Sequence, residues 1–154
     1  MTEAALDGAL RNGGHVMQVR VYYEDTDFSG IVYHANYLRF MERGRTNYLR
    51  LLGAGHRALF EQAQQEAPGF AFVVRSMQIE FLKPARMDDV LEITTSPQEV
   101  KGASITLHQC ISRRTELLIE AQVRVAFVSN GRARPIPHPL RLAMRMHQER
   151  ADAC

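Results

Sequence analysis

The chain has 154 residues, 45% hydrophobic and 23% charged, with a formal net charge of +2. That length suits one domain with a real core rather than two. The charge balance is too weak for a nucleic-acid footprint, and no apolar run of about 18 residues exists to span a membrane.

Residues 1–14 are polar, carry no apolar signal core, and end in Asn12-Gly13-Gly14. A flexible arm is expected there, and a cytoplasmic location for the protein. Met17, Val19, Val21 and Tyr23 then alternate with Gln18, Arg20 and Tyr22, the pattern of a half-buried strand. An acidic loop follows, with Glu24, Asp25 and Asp27 ahead of a Ser29-Gly30 turn, and then His34. A helix is expected from about Asn36 to Leu52, because Tyr37, Phe40, Met41, Gly44, Tyr48, Leu51 and Leu52 recur at helical spacing. Gly44 within that stripe costs about 1 kcal/mol of helix propensity against Ala. It makes sense where something packs very close. Gly53 and Gly55 end the helix.

Residues 56–66 read as a second, shorter helix, closed by Pro68-Gly69. Four alternating runs follow. Their apolar members are Met77, Ile79 and Phe81; Leu91 and Ile93, with Thr95; Ile105, Leu107 and Ile111; and Ile119 to Phe127 at every second residue. Short turns join them, which forces antiparallel neighbours. After Pro135, Pro137 and Pro139, a short helix is expected from Leu140 to about Gln148. The fold class is therefore α+β: one domain over 15–138, a curved antiparallel sheet of about five strands wrapped around one long helix, with a tail over 139–154. Cys110 and Cys154 are far apart, without metal-like or redox-like spacing, and read as a buried and a terminal thiol.

The chemistry concentrates between Tyr22 and Arg45. A carboxylate and an imidazole are delivered to a helix start, where unpaired N–H groups and the positive dipole end favour negative charge. Asp27 and that helix start read together as a hydrolytic site. Asp27 also fits a loop carboxylate capping nearby N–H groups, and Asp25 fits a loop-orienting role. Paired Asp at i and i+2 invites a metal or phosphotransfer reading as well. The alternation before Glu24 argues against it, because such pairs usually follow a buried parallel strand with a continuous apolar run. No metal and no cofactor are expected. His34 fits packing or capping as well as catalysis. Tyr23, at the end of an alternating strand, reads first as packing.

Three pieces, DTDFSGIVYHANYLRFMERGR at 25–45, FLKPARMDDVLEI at 81–93 and RARPIP at 132–137, resemble the hotdog-fold acyl-CoA thioesterases of the 4-hydroxybenzoyl-CoA thioesterase type. Within that family the match is to the branch associated with the Tol-Pal cell-envelope system. The resemblance covers about residues 16–138. It implies that Asp27 is the catalytic carboxylate and that the His34 N–H faces the thioester carbonyl. It also places the His34 ring and Tyr23 among the site residues. It further implies an acyl-CoA substrate and a homodimer or homotetramer with the site at the subunit interface. Many relatives carry an acidic residue where this chain has Asn47, and alanine at Gly44, so no helical carboxylate is carried over. A second expectation is a binding module for acyl carrier protein or envelope-division partners, with hydrolysis incidental. Lys83 and Lys101 are the only lysines among the 19 basic residues, and an Arg-rich surface suits an acidic carrier.

Overall fold

The computed structural model describes residues 6–55 and 57–150. In chain order they form β1 (Ala9–Arg11), β2 (Gly14–Arg20), a 3-10 turn (Tyr23–Asp25), α1 (His34–Gly55), α2 (Arg57–Glu66), β3 (Ala71–Phe81), β4 (Val90–Val100), β5 (Ser104–Arg113), β6 (Glu116–Ser129), β7 (Arg132–Ala133) and α3 (His138–Arg150). All seven strands join one antiparallel sheet in the order β1-β2-β4-β5-β6-β3, with β7 paired to β6. Five strands are long, as expected, and β1 and β7 are short additions. Because β2 pairs with β4, β3 is sent to the far edge. The chain from β2 to β3 crosses the sheet, and α1 is that crossing.

The predicted stripe is the buried face of α1. Tyr37, Phe40, Met41, Tyr48 and Leu52 are all buried, and each such side chain contributes about 1.5–3 kcal/mol over exposure. Their counterparts on the sheet are Leu91, Ile93, Ile105, Ile111, Ile119, Val123 and Phe127. Gly44 is where the helix rides closest: a methyl group there would sit 3.0 Å from Ile93 Cγ2 and from Thr95 Oγ1. α3 buries Leu140, Ala143 and Met144 and packs on β4.

Three expectations are corrected. Part of the arm over 1–14 is a strand: β1 pairs with β2 through a two-residue turn, with Asn12 at φ 51° and Gly13 at φ 75°. Asn-Gly is the usual sequence for such a turn, because both residues must take positive φ. Residues 1–5 and 151–154 lie outside the described residues. Tyr23 does not pack in the core; it is 81% exposed. β2 ends at Arg20 and the chain tightens into the 3-10 turn, so the period of two stops before Tyr23. Cys110 is buried in β5 but disulfide-bonded rather than a free thiol; Cys154, the other cysteine of the sequence, lies outside the described residues. Among the described residues no helix is long and apolar enough to cross a membrane.

Candidate active site

The acidic loop folds as a small hairpin. Thr26 bridges to Val32, the Asp27 N–H donates to the Ile31 carbonyl at 2.9 Å, and the Gly30 N–H donates to the Asp27 carbonyl at 3.0 Å. Gly30 sits at φ 80°, a left-handed position that glycine takes without strain. This turn keeps Asp27 out of the protein interior. Its carboxylate is exposed and accepts one hydrogen bond, from the Ser29 N–H at 2.8 Å. Phe28, at the tip, is fully exposed.

Asp25, two residues earlier, has the opposite environment. It is buried; Oδ2 accepts from the Tyr22 N–H and Oδ1 from Asn36 Nδ2, both at 2.9 Å. Its carbonyl accepts the Tyr33 N–H at 2.9 Å. One residue thus ties the strand end, the returning arm of the hairpin and the first turn of α1 together. The loop-orienting role expected for Asp25 is what these bonds do. Asn36, its partner, reads in the sequence only as the expected start of the helix; its one signal there is a polar residue at that start, which the structure places two positions inside α1.

His34 is the first residue of α1. Asp25 takes the Tyr33 N–H and the Asn36 N–H closes onto the Tyr33 carbonyl at 2.8 Å, while the His34 N–H has no acceptor among the described residues. That open donor lies at the positive end of a 22-residue helix. The imidazole is exposed, with its ring centroid 4.6 Å from Tyr33 and 6.3 Å, edge-on, from Phe81 at the end of β3. Tyr23 binds the loop through its carbonyl, which accepts from the Thr26 N–H at 3.0 Å and Thr26 Oγ1 at 2.7 Å.

The second motif, 81–93, is the cradle of this hairpin. The Val32 N–H donates to the Ala85 carbonyl, Ile31 bridges to Arg86, and Val21 exchanges bonds with Asp88 and Asp89. The Ala85 N–H donates to the Tyr37 hydroxyl at 2.9 Å, and burial pushes that phenol's pKa up. Asp89 Oδ2 accepts from the Arg86 N–H at 2.8 Å and Arg113 Nη1 at 2.7 Å, and Arg113 also pairs with Glu116. The two motifs, far apart in sequence, form one hydrogen-bonded unit.

A cavity of about 190 Å³ lies elsewhere, between α1, α3 and the sheet. Phe72, Ile105, Leu107, Val125 and Met144 wall it, with Glu42, Arg45 and Thr46 as its polar members. Neither Asp27 nor His34 lines it. Asn47 faces the N-terminal segment, its Nδ2 reaching the Leu6 carbonyl at 3.5 Å. Among the described residues no group of three or more His, Cys, Asp and Glu is placed to hold a metal ion.

A family model described as the thioesterase superfamily matches residues 29–120. The match includes His34 and begins two residues past Asp27. An acyl-CoA thioesterase YbgC of Haemophilus influenzae is 43% identical over 138 residues, spanning 90% of this chain and 98% of the relative. A protein of the same name from Helicobacter pylori is 34% identical over 133 residues, spanning 80% and 92%. A solved probable thioesterase from Bartonella henselae is 38% identical with a TM-score of 0.66, over 80% of this chain and 98% of that one. A variant 4-hydroxybenzoyl CoA thioesterase complexed with 4-hydroxybenzoyl CoA is 26% identical with a TM-score of 0.74, over 85% and 98%.

Proposed function

The chain belongs to the thioesterase superfamily, and on that premise we propose that it hydrolyses acyl-CoA thioesters, with Asp27 as base or nucleophile and the His34 N–H as oxyanion donor. One observation carries the assignment of roles: an N–H at the first residue of α1 with no acceptor among the described residues, beside a hairpin that holds one carboxylate exposed and buries the other. A thioester is an activated acyl group, and its leaving thiol has a pKa of roughly 8–9, like cysteine. It leaves with little protonation. The remaining needs are an attacking group and a place for the developing negative charge. Asp27 meets the first, either by taking a proton from water or by attacking the acyl carbon itself to give a mixed anhydride that water then opens. The His34 N–H meets the second; one such donor is typically worth roughly 3 kcal/mol of barrier. The exposed His34 ring and Tyr23 are not needed by either step.

A single copy leaves this site unroofed. Phe28, Tyr33, Phe81 and Leu82 around it are exposed. β3 ends the sheet with an open edge 11 residues long that exposes Val73 and Val74, and an unprotected apolar edge is a pairing surface. Two copies joined antiparallel along β3 would put the Phe81 end of one beside the Ala71 end of the other. Phe72 and Val74, at the Ala71 end, line the apolar cavity. The catalytic hairpin of one copy would then serve the cavity of its partner, a homodimer with the acyl group housed between subunits.

The test is a panel of short, long and aromatic acyl-CoAs with thiol release monitored. Release with saturable kinetics is expected for at least one class; wild-type protein inert on all of them would end the proposal.

A further inference from the structure

Three residues that break local rules meet beneath the middle of α1. Gly44 is a glycine inside a helix, and Thr95 and Gln109 are polar residues at inward positions of β4 and β5. A methyl group on Gly44 would sit 3.2 Å from Gln109 Nε2, so glycine is what lets the helix settle onto this pair. Gln109 is 0% exposed. Its Nε2 donates to the Met41 carbonyl and to Thr95 Oγ1, both at 2.9 Å, and its Oε1 accepts from Arg45 Nη1 at 3.0 Å. With both amide hydrogens committed, the amide oxygen is fixed toward the guanidinium.

Arg45 is thereby held at the wall of the apolar cavity. It forms no salt bridge among the described residues. Among the described residues one of its five donors, on Nη1, has a partner, Gln109 Oε1. Burial lowers its pKa and the charge of Glu42, one turn earlier, raises it. Glu42 also lines the cavity but is exposed, so solvent and salt weaken its field.

We propose that this cavity selects acyl groups that end in a carboxylate, gripped by Arg45; this rests on the reading that the cavity receives the acyl group. The guanidinium fork matches a carboxylate with two parallel hydrogen bonds. An alkyl end would strip water from those donors and return no acceptor. At about 190 Å³, the cavity exceeds the ~150 Å³ that holds a benzene ring, room for an acyl chain of roughly six carbons.

The experiment compares adipoyl-CoA with hexanoyl-CoA, chains of equal length, as kcat/KM for the wild type, Arg45→Met and Glu42→Gln. Calorimetric binding of thioether analogues of both needs no turnover and runs alongside. The wild type should favour adipoyl over hexanoyl by about tenfold or more. Arg45→Met should erase that ratio, and Glu42→Gln should widen it. A wild-type preference for hexanoyl, or a ratio unmoved by Arg45→Met, overturns the inference. Should Arg45→Met fail to fold, the wild-type ratio and its response to Glu42→Gln decide. If no acyl-CoA is hydrolysed, the hydrolytic reading falls by itself. The calorimetry then decides this one: tighter binding of the carboxylate analogue, lost in Arg45→Met, supports it, and equal binding refutes it.

Discussion

Asp25 and Asp27 are the same residue type two positions apart, and exchanging each for asparagine should separate stability from chemistry. In Asp25→Asn the shape is kept, but one acceptor oxygen becomes an NH2. With the new NH2 toward Tyr22, that N–H faces another donor; with it toward Asn36, the buried Asn36 amide must turn over to offer its oxygen, and in both cases the bonds to a charged acceptor are lost. Losing a hydrogen bond to a charged group costs about 1.5–3 kcal/mol, and a buried unpaired donor about 1–3 kcal/mol. A total near 3 kcal/mol is expected, a large share of the roughly 5–15 kcal/mol that holds a domain folded. With a urea m-value of about 2 kcal/mol/M, the unfolding midpoint should fall by roughly 1.5 M. In Asp27→Asn the carboxylate lost is exposed, and asparagine makes the same turn with the Ser29 N–H. Stability should stay within about 0.5 kcal/mol, while acyl-CoA hydrolysis falls by about 100- to 10,000-fold. Urea titration by circular dichroism and a thiol-release assay on both variants make the comparison. An unmoved midpoint in Asp25→Asn, or full activity in Asp27→Asn, would refute the division of labour drawn from their surroundings.

Tyr37→Phe removes the acceptor of the buried Ala85 N–H and should cost about 1–3 kcal/mol, read as a lower urea midpoint. The Ala85 amide should also exchange faster with deuterium. His15 is buried, and its pKa is lowered chiefly by that burial, with Asp7 opposing. The folded state therefore prefers the neutral ring. Its contribution is fully present above about pH 6.5 and is lost as pH falls through the depressed folded pKa. Urea midpoints from pH 7.5 down to 5 should fall less steeply in His15→Gln than in the wild type; parallel curves would contradict this. Val73→Lys puts a charge on the open edge of β3 and should turn a dimer into monomers by light scattering, with activity lost in parallel; an active monomer would remove the shared site.

Periodicity alone was enough to locate most elements, because burial on one face imposes a period of two on strands and near 3.6 on helices. It worked for α1 and for the alternating runs of β4 and β6. It failed at Tyr23, where a 3-10 turn held by Asp25 ends the strand period, and over 9–14, where the Asn-Gly turn was passed over. The candidate site was legible as a carboxylate and a histidine before a helix, since both lie within one short stretch. Which carboxylate is free to react was not, because Asp25 and Asp27 differ only in what surrounds them. Asn36, Ala85 and Tyr37 reach the hairpin from other elements, and Gln109 meets Arg45 across 64 residues. Sequence order carries no record of such meetings. They exist only once the sheet has closed on the helix, and that closure decides which polar groups are paired and which are left open to a substrate.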